Sequence, residues 1–201
     1  MILSDRTIRE EIEAGRIVID PFDPACVQPS SVDLHVDSEF RVFANSRYPY
    51  IDVKQEMPDL TELVEVKPEE SVLVNGLTIR PVPVSHIVPT TGFIVEDRRA
   101  SIGFSSDTGP THRFWELVNN LPNLKAVITE TSFPNELQDL AQISGHLTPQ
   151  TLDAELEKLK RDVPVYLYGG KPKHLKAIKK QVAALKRRKL AMLEQGKTYK
   201  F

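Results

Sequence analysis

Three short patterns in this 201-residue chain carry residues that could do metal or acid–base chemistry: Val82 to Phe93 with His86, Phe104 to Pro110 with Asp107, and Ile143 to Pro149 with His146. His86 leaves the end of an apolar run, and a second run starts at Gly92. Asp107 follows a strand-like segment and precedes Gly109-Pro110. His146 comes just before a helix N-terminus signalled by Thr148-Pro149. Taken singly, each has an ordinary local role. His86 suits a hydrogen-bonded turn, and Asp107 an Asx-turn or helix cap. His146 suits the neighbourhood of a helix N-terminus, where free amides favour an anionic neighbour. Taken together, they are the side chains a metal-dependent hydrolase gathers from loops at strand ends. There, two ions about 3.5–4 Å apart activate a water and clamp phosphoryl oxygens.

The elements that must position them follow from periodicity. From Val72 onward strands and helices alternate cleanly. Strands are predicted over Leu77–Val84, Gly92–Glu96, Ser101–Ser105, Leu124–Thr129 and Val163–Tyr168. Helices are predicted from Pro110 to Asn119, from Thr148-Pro149 to Lys160, and from Pro172 onward, with two short strands before Phe201. The front of the chain reads differently. Ser4 caps a short helix ended by Gly15, Arg16 to Asp20 reads as a brief strand, and Ser31 to Phe43 alternates as a strand. Residues 44 to 71 are interrupted by Pro49, Pro58 and Pro68 and read mostly as loop.

Composition is that of an ordinary globular protein, with 40% hydrophobic and 27% charged residues. No apolar run is long enough to span a bilayer, and the charged start MetIleLeuSerAspArgThrIleArg lacks the apolar centre of a signal peptide. Together with a lone cysteine, Cys26, this predicts a cytoplasmic protein. The net charge of -2 conceals opposed ends: residues 1 to 72 hold 16 Asp and Glu against 7 Lys and Arg, whereas residues 162 to 201 hold 11 Lys and Arg against Asp162 and Glu194. The basic side chains Lys176, Lys179, Lys180, Lys186, Arg187, Arg188 and Lys189 surround an apolar stripe of Leu175, Ile178, Val182 and Leu185. That arrangement reads as a solvated helix face, and no interleaved aromatics favour nucleic acid.

The three back-half patterns together resemble the metallo-β-lactamase superfamily, in particular the class II cyclic-nucleotide phosphodiesterases and their ribonuclease Z relatives, over residues 72 to 201. The resemblance implies that His86 is a ligand of one metal, zinc or another divalent ion, and that Asp107 bridges two. It implies that His146 stabilises charge and protonates the leaving oxygen, with Glu130, in ThrGluThrSerPhe, as its acidic partner. The substrate implied is a cyclic nucleotide or another phosphodiester. Two departures stand against a full site. The family's His-x-His-x-Asp-His signature is absent, and His35 and Asp37 match it only by coincidence. Gly169 and Gly170 also stand where the last metal histidine should precede Lys171-Pro172, and His174 would point from a helix. Two surviving ligands imply an impaired or inactive centre.

The front piece resembles something else. MetIleLeuSerAspArgThrIleArg, IleAspProPheAspPro, GlnProSerSerValAspLeu and GluPheArgValPhe are similar to the N-terminus of dCTP deaminase, a homotrimer of the dUTPase-like β fold, from residue 1 to about 70. Its catalytic segments, of the type Lys-Ser-Ser-x-x-Arg, are missing, so Ser30 and Ser31 are turn residues and no deaminase site residue is carried over. The expectation is therefore a mixed α/β (α+β) chain in two parts. Residues 1–71 would be an incomplete deaminase-like segment and residues 72–201 a partial αββα sandwich. One sheet face would want cover, and self-association is expected. The alternatives to a phosphodiesterase are a nucleotide deaminase by the front piece, or a non-catalytic chimeric product.

Overall fold

A computed structural model of the chain describes residues 3–34, 39–43, 54, 57, 60–185, 187 and 189–201, with only the backbone of Glu62. His35, Asp37, Lys186 and Arg188 lie outside the described residues. The chain divides into two compact units, Met1–Asp37 and Ser38–Phe201.

The first unit is small. Helix α1 (Asp5–Glu13) begins at Ser4, whose side chain accepts from the Thr7 amide, and buries Ile8. Strands β1 (Val27–Gln28) and β2 (Ser31–Val32) pair antiparallel around the Pro29-Ser30 turn. The strand expected over Arg16–Asp20 does not form. Instead the amides of Arg16 and Ile17 both bond back to the Glu11 carbonyl, and Arg16 Nε donates to Glu11 at 2.5 Å. A segment that folds back on the preceding helix has no neighbouring strand to pair with.

The second unit is built on a seven-stranded sheet, ordered β11-β10-β9-β8-β7-β6-β5. Its strands are β5 (Val72–Val74), β6 (Leu77–Val84), β7 (Thr90–Glu96), β8 (Ser101–Phe104), β9 (Leu124–Glu130), β10 (Val165–Tyr168) and β11 (Leu190–Met192). Strands β8 to β11 are parallel, and β5 to β8 are joined by antiparallel pairings. Helix α2 (Arg113–Asn119) connects β8 to β9, α3 (Gln138–Ile143) and α4 (Pro149–Leu156) connect β9 to β10, and α5 (Leu175–Ala184) connects β10 to β11. The second terminal strand is not formed; β11 is the sole strand beyond α5 among the described residues.

Alternation gives the sheet two faces. Ile94, Gly103, Val127 and Val165 are successive register partners across it. They share a core with Phe114, Trp115 and Val118 of α2, Leu152 and Leu156 of α4, and Ile178 and Val182 of α5. Full burial of such side chains contributes about 1.5–3 kcal/mol each. Buried Glu155 ties α4 to α2, accepting from the Thr111 amide, Trp115 Nε1 at 2.8 Å and Lys158 Nζ at 2.6 Å.

The opposite face carries Ile79, Phe93, Val95 and Phe104. A separate hairpin, β3 (Glu39–Phe43) with β4 (Thr61–Glu65), lies over them, with Phe40, Val42 and Val64 around an apolar cavity of about 330 Å³. Farther across this face, Tyr166 meets Tyr199 and Phe201 edge-on. The face expected to want cover is thus partly covered by the chain itself.

On α5, Ile178 and Val182 are buried while Lys176, Lys179 and Lys180 are exposed. Arg187 pairs with Asp153 and Glu157, and Lys189 with Asp162. The basic end is largely a solvated helix face with local acidic partners.

Candidate functional site

Strands β6, β8, β9 and β10 run in one direction, so their C-terminal ends meet at a single edge of the sheet, where open α/β sheets place their ligands. His86 lies two residues beyond β6, Asp107 three beyond β8, Glu130 ends β9, and Gly169 follows β10.

The loops are tied to one another by their backbones. Gly109 N donates to Ser85 O at 2.6 Å, joining the His86 loop to the Asp107 loop. Ser105 is buried; its amide reaches Ile128 O, and its hydroxyl reaches Thr129 Oγ1 at 2.9 Å. Ser106 then takes a left-handed conformation, φ +54°, turning the chain so that Asp107 faces solvent.

His86 Nδ1 lies 2.9 Å from the carbonyl of Gly145. A carbonyl only accepts, so Nδ1 carries the proton and Nε2 keeps a free lone pair. Gly145 is at φ +68°, and a Cβ there would come 2.7 Å from His86 Nδ1 and 3.0 Å from Ile87 N. Only glycine allows this approach.

Glu130 is fully buried. Its Oε1 accepts from His146 Nδ1 at 2.7 Å and from the Thr108 and Leu147 amides, both at 3.3 Å. Its Oε2 has no hydrogen-bond partner among the described residues. The His146 ring, fixed at Nδ1 by this carboxylate, presents Nε2 outward. It meets His86 edge-on at 4.9 Å and Phe133 at 5.6 Å.

One ligand atom each from His86, Asp107 and His146 lies within 4.8 Å of the others, the one such group among the described residues. Two imidazoles with a free nitrogen, each oriented through the other nitrogen, and an exposed carboxylate are a donor set that fits a single divalent cation such as zinc. Neither His174 nor His112 belongs to the group. Gly169 stands at φ +83°, and a Cβ there would meet Ser132 Oγ at 3.0 Å.

Three neighbours escape sequence reasoning. Tyr168, the last residue of β10, stacks on Phe104 at 5.3 Å. Burial, then the charges of Asp107 and Glu130, push its phenol well above the usual tyrosine range, so it stays neutral beside the carboxylates. Phe133 packs on His146, and Lys171 Nζ lies 5.9 Å from the Phe133 ring centre. Aromatic residues at strand ends look like core from the pattern alone; the aromatic following ThrGluThrSer was the available signal.

Comparison with known proteins separates the chain's two parts. Residues 2–78 match the dCTP deaminase-like family. The dUMP-forming dCTP deaminases of Acidothermus cellulolyticus and Streptomyces griseus are 56% and 55% identical over 75 residues, which cover 37% of this chain and 39% of each relative. The chain therefore spans well under half the length of the curated relatives it matches. Among solved structures, the metallo-β-lactamase fold protein YhfI of Bacillus subtilis aligns with a TM-score of 0.55 at 13% identity, covering 66% of this chain and 52% of that one. Zn(2+)-bound PqqB of Methylobacterium extorquens aligns at 0.52 and 13% identity, covering 68% and 55%. The fold is thus a partial metallo-β-lactamase sandwich behind a dCTP deaminase-like N-terminal segment, and about half of the neighbours' length has a counterpart here.

Proposed function

We propose that residues 72–201 carry a metal-dependent phosphodiester hydrolase site, of the 3′,5′-cyclic-nucleotide kind, weakened by its missing ligands. The observation that carries this reading is the convergence of His86, Asp107 and His146 donor atoms within 4.8 Å at one sheet edge. His86 and Asp107 hold the cation, which when bound supplies Lewis acidity and an activated water. His146, oriented at Nδ1 by Glu130, would take up at Nε2 the proton that the attacking water loses and pass it to the leaving oxygen. A second role for His146 is favoured by the same distance: as third ligand it would bring the set to the minimum of ordinary zinc sites.

Zinc titration and bis(p-nitrophenyl) phosphate turnover distinguish these roles. With His146→Asn, unchanged zinc affinity and lost turnover identify an acid, whereas weakened zinc binding identifies a ligand. Wild-type protein that retains no zinc or manganese after dialysis sinks the reading. The substrate arm compares 3′,5′-cyclic AMP with that chromogenic diester.

For residues 1–71 we propose no deaminase activity, because the catalytic segments of that family have no counterpart here. Incubation of the pure protein with dCTP is expected to release no ammonia. Residence in the cytoplasm fits the lone Cys26, and no helix among the described residues is long and apolar enough to cross a membrane.

A further inference from the structure

Several basic side chains near the sheet's helices have acidic partners. Lys158 pairs with Glu155, Arg187 with Asp153 and Glu157, Lys189 with Asp162, and Lys197 with Glu194. Lys171 differs. Among the described residues its ammonium has no carboxylate partner, and its recorded side-chain contact is the Phe133 ring.

The backbone that carries that ring is tied down. The amides of Ser132 and Phe133 both point to Leu147 O, at 3.0 and 3.4 Å, binding the segment after β9 to the segment that carries His146. The Lys171 amide reaches Ser132 O at 3.3 Å, which joins the loop after β10 to the same place. Phe133 thus packs on His146 and lies under the Lys171 ammonium, so a cation with no carboxylate partner among the described residues stands one aromatic ring away from His146. Asp107 within that group and Glu130 behind His146 bring two carboxylates to this place, and an arriving anion needs positive charge to offset them.

We infer that Lys171, held over the Phe133 ring, is the anion-binding side chain of this site, taking a non-bridging oxygen of a small phosphodiester, with Phe133 as its positioning residue. This deepens the hydrolase reading and rests on it for the identity of the reacting bond. The binding claim can fail separately. Lysine suits the role as a compact point charge that needs no bidentate geometry.

The test is a titration with dimethyl phosphate followed by ³¹P line broadening, on zinc-loaded and zinc-free protein, for wild type, Lys171→Gln, Lys171→Arg and Phe133→Leu. Lys171→Gln is expected to weaken binding about tenfold, the effect of losing one charge-assisted hydrogen bond. Lys171→Arg should retain most of the affinity, and Phe133→Leu should fall between. Zinc affinity in Lys171→Gln should equal that of wild type, because lysine is not one of the donors. Equal dimethyl phosphate binding by wild type and Lys171→Gln, or none by wild type, overturns the inference. Failure of zinc to bind wild type instead removes the metal reading, and the zinc-free titration then decides on Lys171. Parallel arms with 3′,5′-cyclic AMP and a short RNA oligonucleotide identify the source of the diester: tighter binding of the RNA overturns the small-diester assignment.

Discussion

At the scale of single residues, the site depends on a glycine as much as on its titratable groups. Gly145 is at φ +68° with no room for a Cβ against His86, whereas Gly76, at φ +82°, has nothing within 4 Å of the same position. Alanine at either position bears the left-handed backbone penalty of about 1–2 kcal/mol. Gly145→Ala must in addition push His86 away and lose the bond that fixes its tautomer. Urea denaturation should therefore show comparable backbone losses for both variants, with a larger total for Gly145→Ala. Zinc titration should separate them fully, weakening only in Gly145→Ala. Equal zinc affinity in the two would show that the Gly145 carbonyl does not orient the His86 ring. The sequence singled out His86 and Asp107 because each follows an apolar run, and His146 because it precedes a helix start; the three donors do lie close together. Gly145 was not legible there, because its constraint comes from a residue 59 positions away. Tyr168 and Phe133 were hidden for a related reason: an aromatic beside a strand reads the same whether it faces core or site.

At the scale of elements, α4 couples the site to the core. Thr148 accepts from the Thr151 amide, and the Thr151 side chain bonds back to the Thr148 amide, a reciprocal cap at the helix start. Thr148 Oγ1 also donates to Gln138 Oε1 of α3 at 2.6 Å. Because His146 lies two residues before this cap, Thr148→Ala should cost about 1 kcal/mol of stability and loosen the His146 ring. The expected signature is broadened His146 imidazole resonances together with the lower urea midpoint. Sharp, unshifted resonances would separate the cap from the site. Packing between elements is tight at Gly103 of β8, where a Cβ would lie 2.8 Å from Val118 Cγ2 and 3.2 Å from Phe114 Cζ. Gly103→Ala should therefore destabilise by about 1–3 kcal/mol through overpacking, read from the same denaturation curves. Helix α4 was visible in Thr148-Pro149 because capping is local chemistry. Helix α3, six residues long, offered too few turns for a periodic signal. Strands β4 and β5 flank Pro68, and their apolar positions acquire full meaning only from the hairpin partner or sheet neighbour they meet.

At the scale of the whole molecule, the second unit carries a sheet with a well-filled helix face and a less completely filled opposite face. The β3–β4 hairpin covers Ile79, Phe93, Val95 and Phe104 and leaves the apolar cavity beneath it. Its outer side is less well matched to water, with Leu63 at 58% and Phe43 at 48% exposure. Strand β5 ends the sheet, so one side of its backbone is unpaired by the ladder, and Leu73 there is 73% exposed. The unpaired edge and the exposed leucine together offer a second copy backbone groups and apolar area, with the shortness of β5 limiting how far pairing can run. Concentration-dependent association should therefore appear in sedimentation velocity of the wild-type chain. Leu73→Lys should reduce it by placing a charge at the edge, while shifting stability by no more than about 0.5 kcal/mol because the side chain is already in water. If wild type sediments as a monomer at every concentration, edge pairing is absent. If it associates and Leu73→Lys associates equally, the contact lies elsewhere, and the outer side of the hairpin at Leu63 is the next surface to charge.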